Sequence, residues 1–381
     1  MHICFITNEY PKEGFPHGGV GTFVKTIATE MVKFNIKVTI IGINYTNEYE
    51  KIDENGIKIY RLKPSSNKGL KWFFNNNNIC KKIKKINLQN PIDIIETSEL
   101  GLAFIKKIPT IKYLIRLHGG HHFFAKAENR PTEWRKVWQE KKSFSKADYL
   151  VAVSNYVAQT TNDLLKLNQK KILVIYNPID TKRFYQCITD KIESNTIFFA
   201  GTLVEKKGIR QLIESLEYLL DEFPDIKLKI AGRVGNIPGT QTSYKPILEK
   251  SISEKIKNNI EFLGTISNNE MPKHIEKAAI CCYPSHMEAM PLAWLEVLSM
   301  GKMFIGSKTG PGSEAVIDDK TGLLVNPFDP NDIAEKIKYA LLNPEKSLQM
   351  GRNAREMIIN NFDICKIVLQ NIDFYKSLLR N

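Results

Sequence analysis

No stretch of this 381-residue chain stays apolar over the roughly 18–20 residues that a membrane-crossing helix requires. Its six cysteines (Cys4, Cys80, Cys187, Cys281, Cys282, Cys365) form neither a Cys-x-x-Cys pair nor a Cys/His spacing suited to zinc. Several sit in apolar, strand-like runs, where a thiol behaves as a small hydrophobe, so no disulfide framework is expected. There is no Asp-x-Asp to hold a divalent cation, no glycine loop with Walker spacing, and no recognisable RNA- or DNA-binding motif. The start offers only Ile3-Cys4-Phe5-Ile6 before Asn8 and Glu9. That is too short for a secretory signal and reads as a first strand, so a cytoplasmic protein is expected.

What is present fits a soluble globular chain: 43% hydrophobic and 25% charged residues, long enough for two domains. The charge is unevenly placed. Residues 1–185 hold 30 Lys and Arg against 16 Asp and Glu, whereas residues 186–381 hold 24 against 25. The basic half has two readings: a surface facing an anionic partner, or a Lys/Asn/Ile-rich composition spread over solvated faces, as the run Asn75–Asn78 would favour.

The first half alternates strand-like runs (His2–Thr7, Lys37–Ile43, Ile92–Glu96, Lys112–Leu117, Tyr149–Val153, Ile172–Tyr176) with helical spacing such as Val20–Phe34. The second half restarts the pattern with Thr196–Ala200, Lys227–Ala231, Ile260–Leu263, Ala279–Tyr283 and Met303–Gly306. Alternation of this kind predicts an α/β fold of two Rossmann-like parallel-sheet domains, which the resemblance described below sets facing across a cleft. Residues 1–185 form the first domain and 186–363 the second, with Thr181–Asn195 as linker. A helical tail, about 364–381, packs back on the first domain.

Pro284-Ser285-His286-Met287-Glu288-Ala289-Met290-Pro291-Leu292-Ala293-Trp294-Leu295-Glu296 leads from a strand through a loop into a helix opened by Pro291. The amides around Ala289, Met290, Pro291 and Leu292 are placed to receive a diphosphate without a metal ion. Glu288 and Glu296, eight residues apart, are separated by about 12 Å at most if helical. They are too far apart to act on one bond, but suitably spaced to grip two ends of an elongated ligand.

This segment, continued by Gly310-Pro311-Gly312-Ser313-Glu314 and Thr321-Gly322, resembles the donor domain of the retaining glycosyltransferase family 4, which has the GT-B fold. The resemblance implies that Glu288 grips the sugar and Glu296 the ribose of a nucleotide-sugar donor. Gly201-Thr202-Leu203-Val204-Glu205-Lys206-Lys207-Gly208 is similar to the family's phosphate loop, and Lys207 falls on its phosphate-contacting lysine. Thr202 stands where the family has arginine, so either Lys206, Arg210 or Arg233 compensates, or the diphosphate is held by fewer cations. Ile230-Ala231-Gly232 and Phe262-Leu263-Gly264 end strands where family members meet the nucleobase through backbone.

In the first half, Gly18-Gly19-Val20-Gly21 resembles the family's glycine loop, which touches the donor phosphate and the acceptor. His118, in His118-Gly119-Gly120-His121-His122, matches the histidine beside the reacting sugar. His121 and His122 point apart on any regular element, and no nearby carboxylate cluster completes a metal site. The stretch His122–Lys142 is read either as an acceptor-side or membrane-facing surface, or as an amphipathic helix that packs Trp134 and Trp138 into the core.

By this resemblance the chain is expected to move a hexose-type sugar from a UDP- or GDP-sugar co-substrate to a glycan or lipid-linked acceptor, with retention and without a metal cofactor. Glu288, His118 and Lys207 are the expected catalytic residues. Bacterial surface polysaccharide synthesis, in peripheral contact with the anionic inner face of the membrane, is the expected setting. A nucleotide-sugar epimerase of the same architecture is the alternative. A nucleic-acid binder is the reading from another class, and nucleic acid is not an expected partner.

Overall fold

The computed structural model describes residues 1–15, 18–67, 69–167 and 171–380. The described residues form two compact units, Met1–Pro178 with Cys365–Asn381, and Ile179–Ile364. The first holds β1 (His2–Ile6), β2 (Lys37–Ile43), β3 (Glu50–Glu54), β4 (Ile57–Leu62), β5 (Ile94–Thr97), β6 (Lys112–Leu117), β7 (Tyr149–Ala152) and β8 (Ile172–Val174). Their order in the sheet is β3-β4-β2-β1-β5-β6-β7-β8, parallel throughout except for the antiparallel pair β3–β4. Every residue of β1 and β5 is buried, as expected of strands covered on both faces by helices.

β3 and β4 lie outside the strand runs picked out from sequence. They are joined at Asn55-Gly56, both with positive φ (51° and 89°), the dipeptide suited to a two-residue hairpin turn. The Asn75–Asn78 run falls within a helix, Lys71–Gln89, held down by the buried stripe Ile79, Ile83 and Ile86.

The second unit holds β9 (Thr196–Ala200), β10 (Lys227–Ala231), β11 (Ile260–Gly264), β12 (Ile280–Tyr283), β13 (Met303–Ser307) and β14 (Leu323–Val325), in the order β11-β10-β9-β12-β13-β14, all parallel. Strand order reverses between β9 and β12 here, and between β1 and β5 in the first sheet. At such switch points the loops leaving the two strands diverge to opposite faces and open a crevice.

The division between units falls between Pro178 and Ile179, ahead of the 185/186 boundary read from composition. The reason is backbone pairing. The Ile179 N–H donates to the Phe362 carbonyl at 2.9 Å, and the Ser299 hydroxyl to the Phe184 carbonyl at 2.9 Å. Nor is Thr181–Asn195 a free tether, since Cys187 N–H bonds the Met300 carbonyl and Glu193 N–H the Lys277 carbonyl.

The last helix, Ile364–Arg380, completes the first unit through side chains. Arg116 on β6 donates to Glu96 on β5 at 2.6 Å and to Asn371 Oδ1 at 2.6 Å, and the Tyr375 hydroxyl donates to Glu96 at 2.6 Å. All four residues are buried. Burying Arg116 would be costly without these partners, because its charge leaves water entirely.

Candidate active site

The loops leaving β9 and β12 meet at the switch point of the second sheet. After β9, a single 3-10 turn, Glu205–Lys207, ends at Gly208 with φ 68°. A Cβ at Gly208 would lie 1.9 Å from the Pro284 carbonyl oxygen, so only glycine lets this loop sit against the loop after β12. The His286 N–H then donates to the Lys206 carbonyl at 2.8 Å. This contact brings Lys207 onto Glu288, and the two form an ion pair. The loop after β13 closes the other side, with the Thr309 hydroxyl donating to the His286 carbonyl at 2.7 Å.

Pro291 caps the helix Leu292–Ser299. Among the described residues, the amides of Leu292 and Ala293 donate to no acceptor. They are the open donors at this helix start. Pro291, expected among the diphosphate-binding residues, carries no N–H and supplies only the turn into the helix. Ala289 and Met290 lie in the loop just before it.

Glu296 sits in the second turn of that helix, as expected. The residue keeps some exposure, but protein atoms crowd its carboxyl, and this desolvation pushes its pKa up to about 7 against the opposing pull of Arg183.

A crevice of ≈ 540 Å³ beside the loop is lined by Thr202, Lys206, Lys207 and Arg233. It forms because the loop after β9 pairs with the one after β10: Leu203 N–H to the Arg233 carbonyl at 2.9 Å, and Gly235 N–H to the Leu203 carbonyl at 3.0 Å. Gly232 N–H likewise bonds the Gly264 carbonyl at 2.7 Å, tying the ends of β10 and β11 together.

Of the three cations that might stand in for an arginine at Thr202, Arg210 is committed elsewhere. It is held by Glu205 at 2.8 Å and Glu214 at 2.7 Å. Burial alone would raise the Glu205 carboxyl, but hydrogen bonds from Arg210, Tyr244 and Gln211 outweigh it and hold it at about 2. Arg233 is exposed at the crevice and makes no ion pair among the described residues.

In the first unit, Gly18 caps the helix Gly19–Lys33 after the loop from β1. A Cβ at Gly21 would meet the Glu9 carbonyl oxygen at 1.9 Å, so packing dictates that glycine. At Gly19 a Cβ would meet nothing within 4 Å, so packing does not.

His118 directly follows β6, with its ring edge-on to Phe23 at 5.1 Å. Burial, helped by the Arg116 guanidinium, pushes its pKa down to about 3, so the imidazole is neutral near pH 7.

The carboxylates that sequence proximity did not reveal lie beneath this loop. Buried Glu99 accepts the His118 N–H at 2.6 Å. Buried Glu140 accepts the His121 N–H at 2.9 Å and pairs with the His122 ring. Burial pushes Glu99 up to about 8, partly opposed by the backbone N–H groups of Glu99, His118 and Gly119, and reinforced by Glu140. The two carboxyls are occupied in holding the loop. Among the described residues, no group of three or more His, Cys, Asp or Glu is arranged to hold a metal ion.

Comparison with known proteins also finds two successive domains, meeting between residues 183 and 188. The family described as Glycosyltransferase Family 4 matches residues 17–183, and Glycosyl transferases group 1 matches residues 188–357. An uncharacterised glycosyltransferase of Methanocaldococcus jannaschii is 24% identical over 353 residues, covering 91% of each chain. Sucrose-phosphate synthase of Thermosynechococcus elongatus superposes with a TM-score of 0.86 at 18% identity, covering 100% of this chain and 99% of that one. The Anabaena protein HepE, solved in complex with UDP-glucose, gives 0.76 at 16% identity, covering 99% and 100%.

Proposed function

The chain belongs to the glycosyl transferases group 1, with a family 4 domain ahead of it, and is a glycosyltransferase of GT-B fold; on that premise we propose that it moves a hexose-type sugar from a UDP- or GDP-sugar to a glycan or lipid-linked acceptor, with retention and without a metal cofactor. The observation that carries this reading is the Lys207–Glu288 pair at the switch point, next to the open amides of Leu292 and Ala293.

An incoming diphosphate takes over Lys207 and receives those amides, and Glu288 is released to accept hydrogen bonds from sugar hydroxyls. Glu296, deeper along the helix, accepts from the ribose. Arg233 and Thr202 add a cation and a hydroxyl at the phosphates. Neutral His118 exchanges hydrogen bonds with sugar hydroxyls without adding charge.

The bond from the anomeric carbon to the phosphate oxygen breaks while the acceptor oxygen bonds the same face of that carbon. The acceptor's proton passes to the departing phosphate. Charge developing on the diphosphate meets Lys207, Arg233 and the amides, and no protein general base is required. We place the activity in the cytoplasm, in the assembly of a bacterial surface polysaccharide.

A thermal-shift panel of UDP-, GDP- and ADP-sugars identifies the donor, since binding to the folded state raises its transition. Transfer is then assayed with chelator present, and the product's anomeric configuration is read by NMR. An inverted product, or activity lost to chelator and restored by a divalent cation, overturns the mechanism. Turnover of the donor without acceptor would instead identify an epimerase.

A further inference from the structure

Three of the chain's four tryptophans lie on one surface of the first unit, and the fourth, Trp294, is buried in the second. Trp134, Trp138 and Trp72 are 74%, 50% and 48% exposed, and the neighbouring Phe73 is 51% exposed. They come from segments some sixty residues apart, the start of the helix Lys71–Gln89 and the helix Trp134–Lys146. Phe104 joins them, 4.5 Å from the Trp72 ring and 5.8 Å from the Trp138 ring.

The core-packing reading of Trp134 and Trp138 fails because that helix turns a different face inward. Its buried residues are Glu140, Ser143 and Phe144, turned away from the exposed Trp134 and Trp138.

The charge around this surface is mostly positive. Lys71, Arg135, Lys136 and Lys141 are exposed, and the Lys142 ammonium lies 4.5 Å from the Trp138 ring and 5.1 Å from that of Phe104. Of the two acids nearby, only the exposed N-cap residue Glu133 offsets a cation, cancelling Lys136. Glu140 is buried under the histidine loop. Tryptophans have an apolar body and a polar N–H, and both find partners at the level of lipid headgroups. Lysines and arginines beside them are drawn to anionic headgroups.

We propose that this surface, built from Leu70, Trp72, Phe73, Trp134, Trp138 and their flanking cations, docks the first unit on an anionic lipid bilayer. The inference is independent of the donor chemistry, because none of these residues belongs to the site in the second unit.

The test is co-sedimentation with phosphatidylcholine vesicles, with and without phosphatidylglycerol, at moderate salt. The wild-type chain is expected to bind the anionic vesicles and leave the neutral ones. Its tryptophan emission should shift to the blue and be quenched by brominated lipid. The double variants Trp134→Ser/Trp138→Ser and Lys141→Glu/Lys142→Glu should each weaken binding by tenfold or more. All four positions face solvent or the patch, and an unchanged circular dichroism spectrum together with an unchanged urea transition of the first unit shows that the variants fold.

The proposal is overturned if the wild type ignores anionic vesicles, if it binds neutral vesicles equally, or if both variants bind as it does. It is also overturned if sedimentation velocity finds a dimer that the tryptophan variant abolishes while lipid binding is absent, since the surface would then join two copies of the chain.

Discussion

The two units both carry charge at the open ends of parallel strands, but they hold it in different ways. In the second unit Lys207 and Glu288 pair at a partly exposed site, each satisfying the other where the proposed donor would meet both. In the first, Arg116, Glu96, Asn371 and Tyr375 bond one another out of reach of solvent, and Glu99 and Glu140 are spent on backbone amides. The comparison separates charge kept ready for a ligand from charge kept for the fold. A partly exposed pair contributes little stability and gives way to a better partner. A buried one cannot lose a member without stranding the other.

The largest effect tests the buried side. Arg116→Leu leaves Glu96 without its cation and should cost the first unit about 3–5 kcal/mol. In urea this is expected to appear as a separate early transition, with UDP still raising the later one. Next comes Lys207→Ala, expected to leave stability within about 1 kcal/mol while lowering kcat/KM by roughly 10²–10³ and raising the donor Kd. A Lys207 variant as unstable as the Arg116 variant would erase the distinction, and unchanged donor affinity would refute the role given to Lys207.

A smaller effect follows from Glu296, whose pKa is raised to about 7. Its ionised form is the better acceptor for ribose hydroxyls, so donor affinity should fall by about tenfold between pH 8 and pH 6, and Glu296→Gln should flatten the profile. The stability linkage runs the other way. Between the ordinary carboxylate range and about 7 the folded chain holds a proton that the unfolded chain has released. The Glu296 contribution to stability therefore falls as pH rises through that window. Calorimetry at the two pH values checks both signs. Smallest is the contrast between two arginines. Arg233→Ala should weaken UDP binding by about threefold to fivefold, whereas Arg210→Ala, removing a cation already held by Glu205 and Glu214, should change it by much less.

The second unit is the more legible because the groups proposed to meet the donor lie close together along the chain. Glu288, the helix start and Glu296 fall within one strand–loop–helix passage, and a helix keeps sequence spacing as distance. Lys207 joins them from one other loop whose glycines mark it. The two Rossmann-like sheets followed from alternation of strand and helix periods. The edge hairpin at Asn55-Gly56 went unseen, although its turn dipeptide was present. Glu99 and Glu140 were hidden for a different reason. They act on a loop about twenty residues away, and nothing in local composition tells a carboxylate that will be buried under a loop from one in solvent. The same limit applied to Trp134 and Trp138. Helical spacing defined their stripe but not whether the stripe faced the core or water.

The tie between Arg116 and Asn371 spans 255 positions of the chain. At ribosomal speeds of about 5–20 residues per second, roughly 10–50 s pass between the synthesis of one and that of the other. During that interval the nascent first unit holds a guanidinium and a carboxylate that lack two of their eventual partners, while the whole second unit is made. The N-terminal unit is thus begun first and finished last, and a chaperone arriving during translation would find its incomplete strand end at β5 and β6.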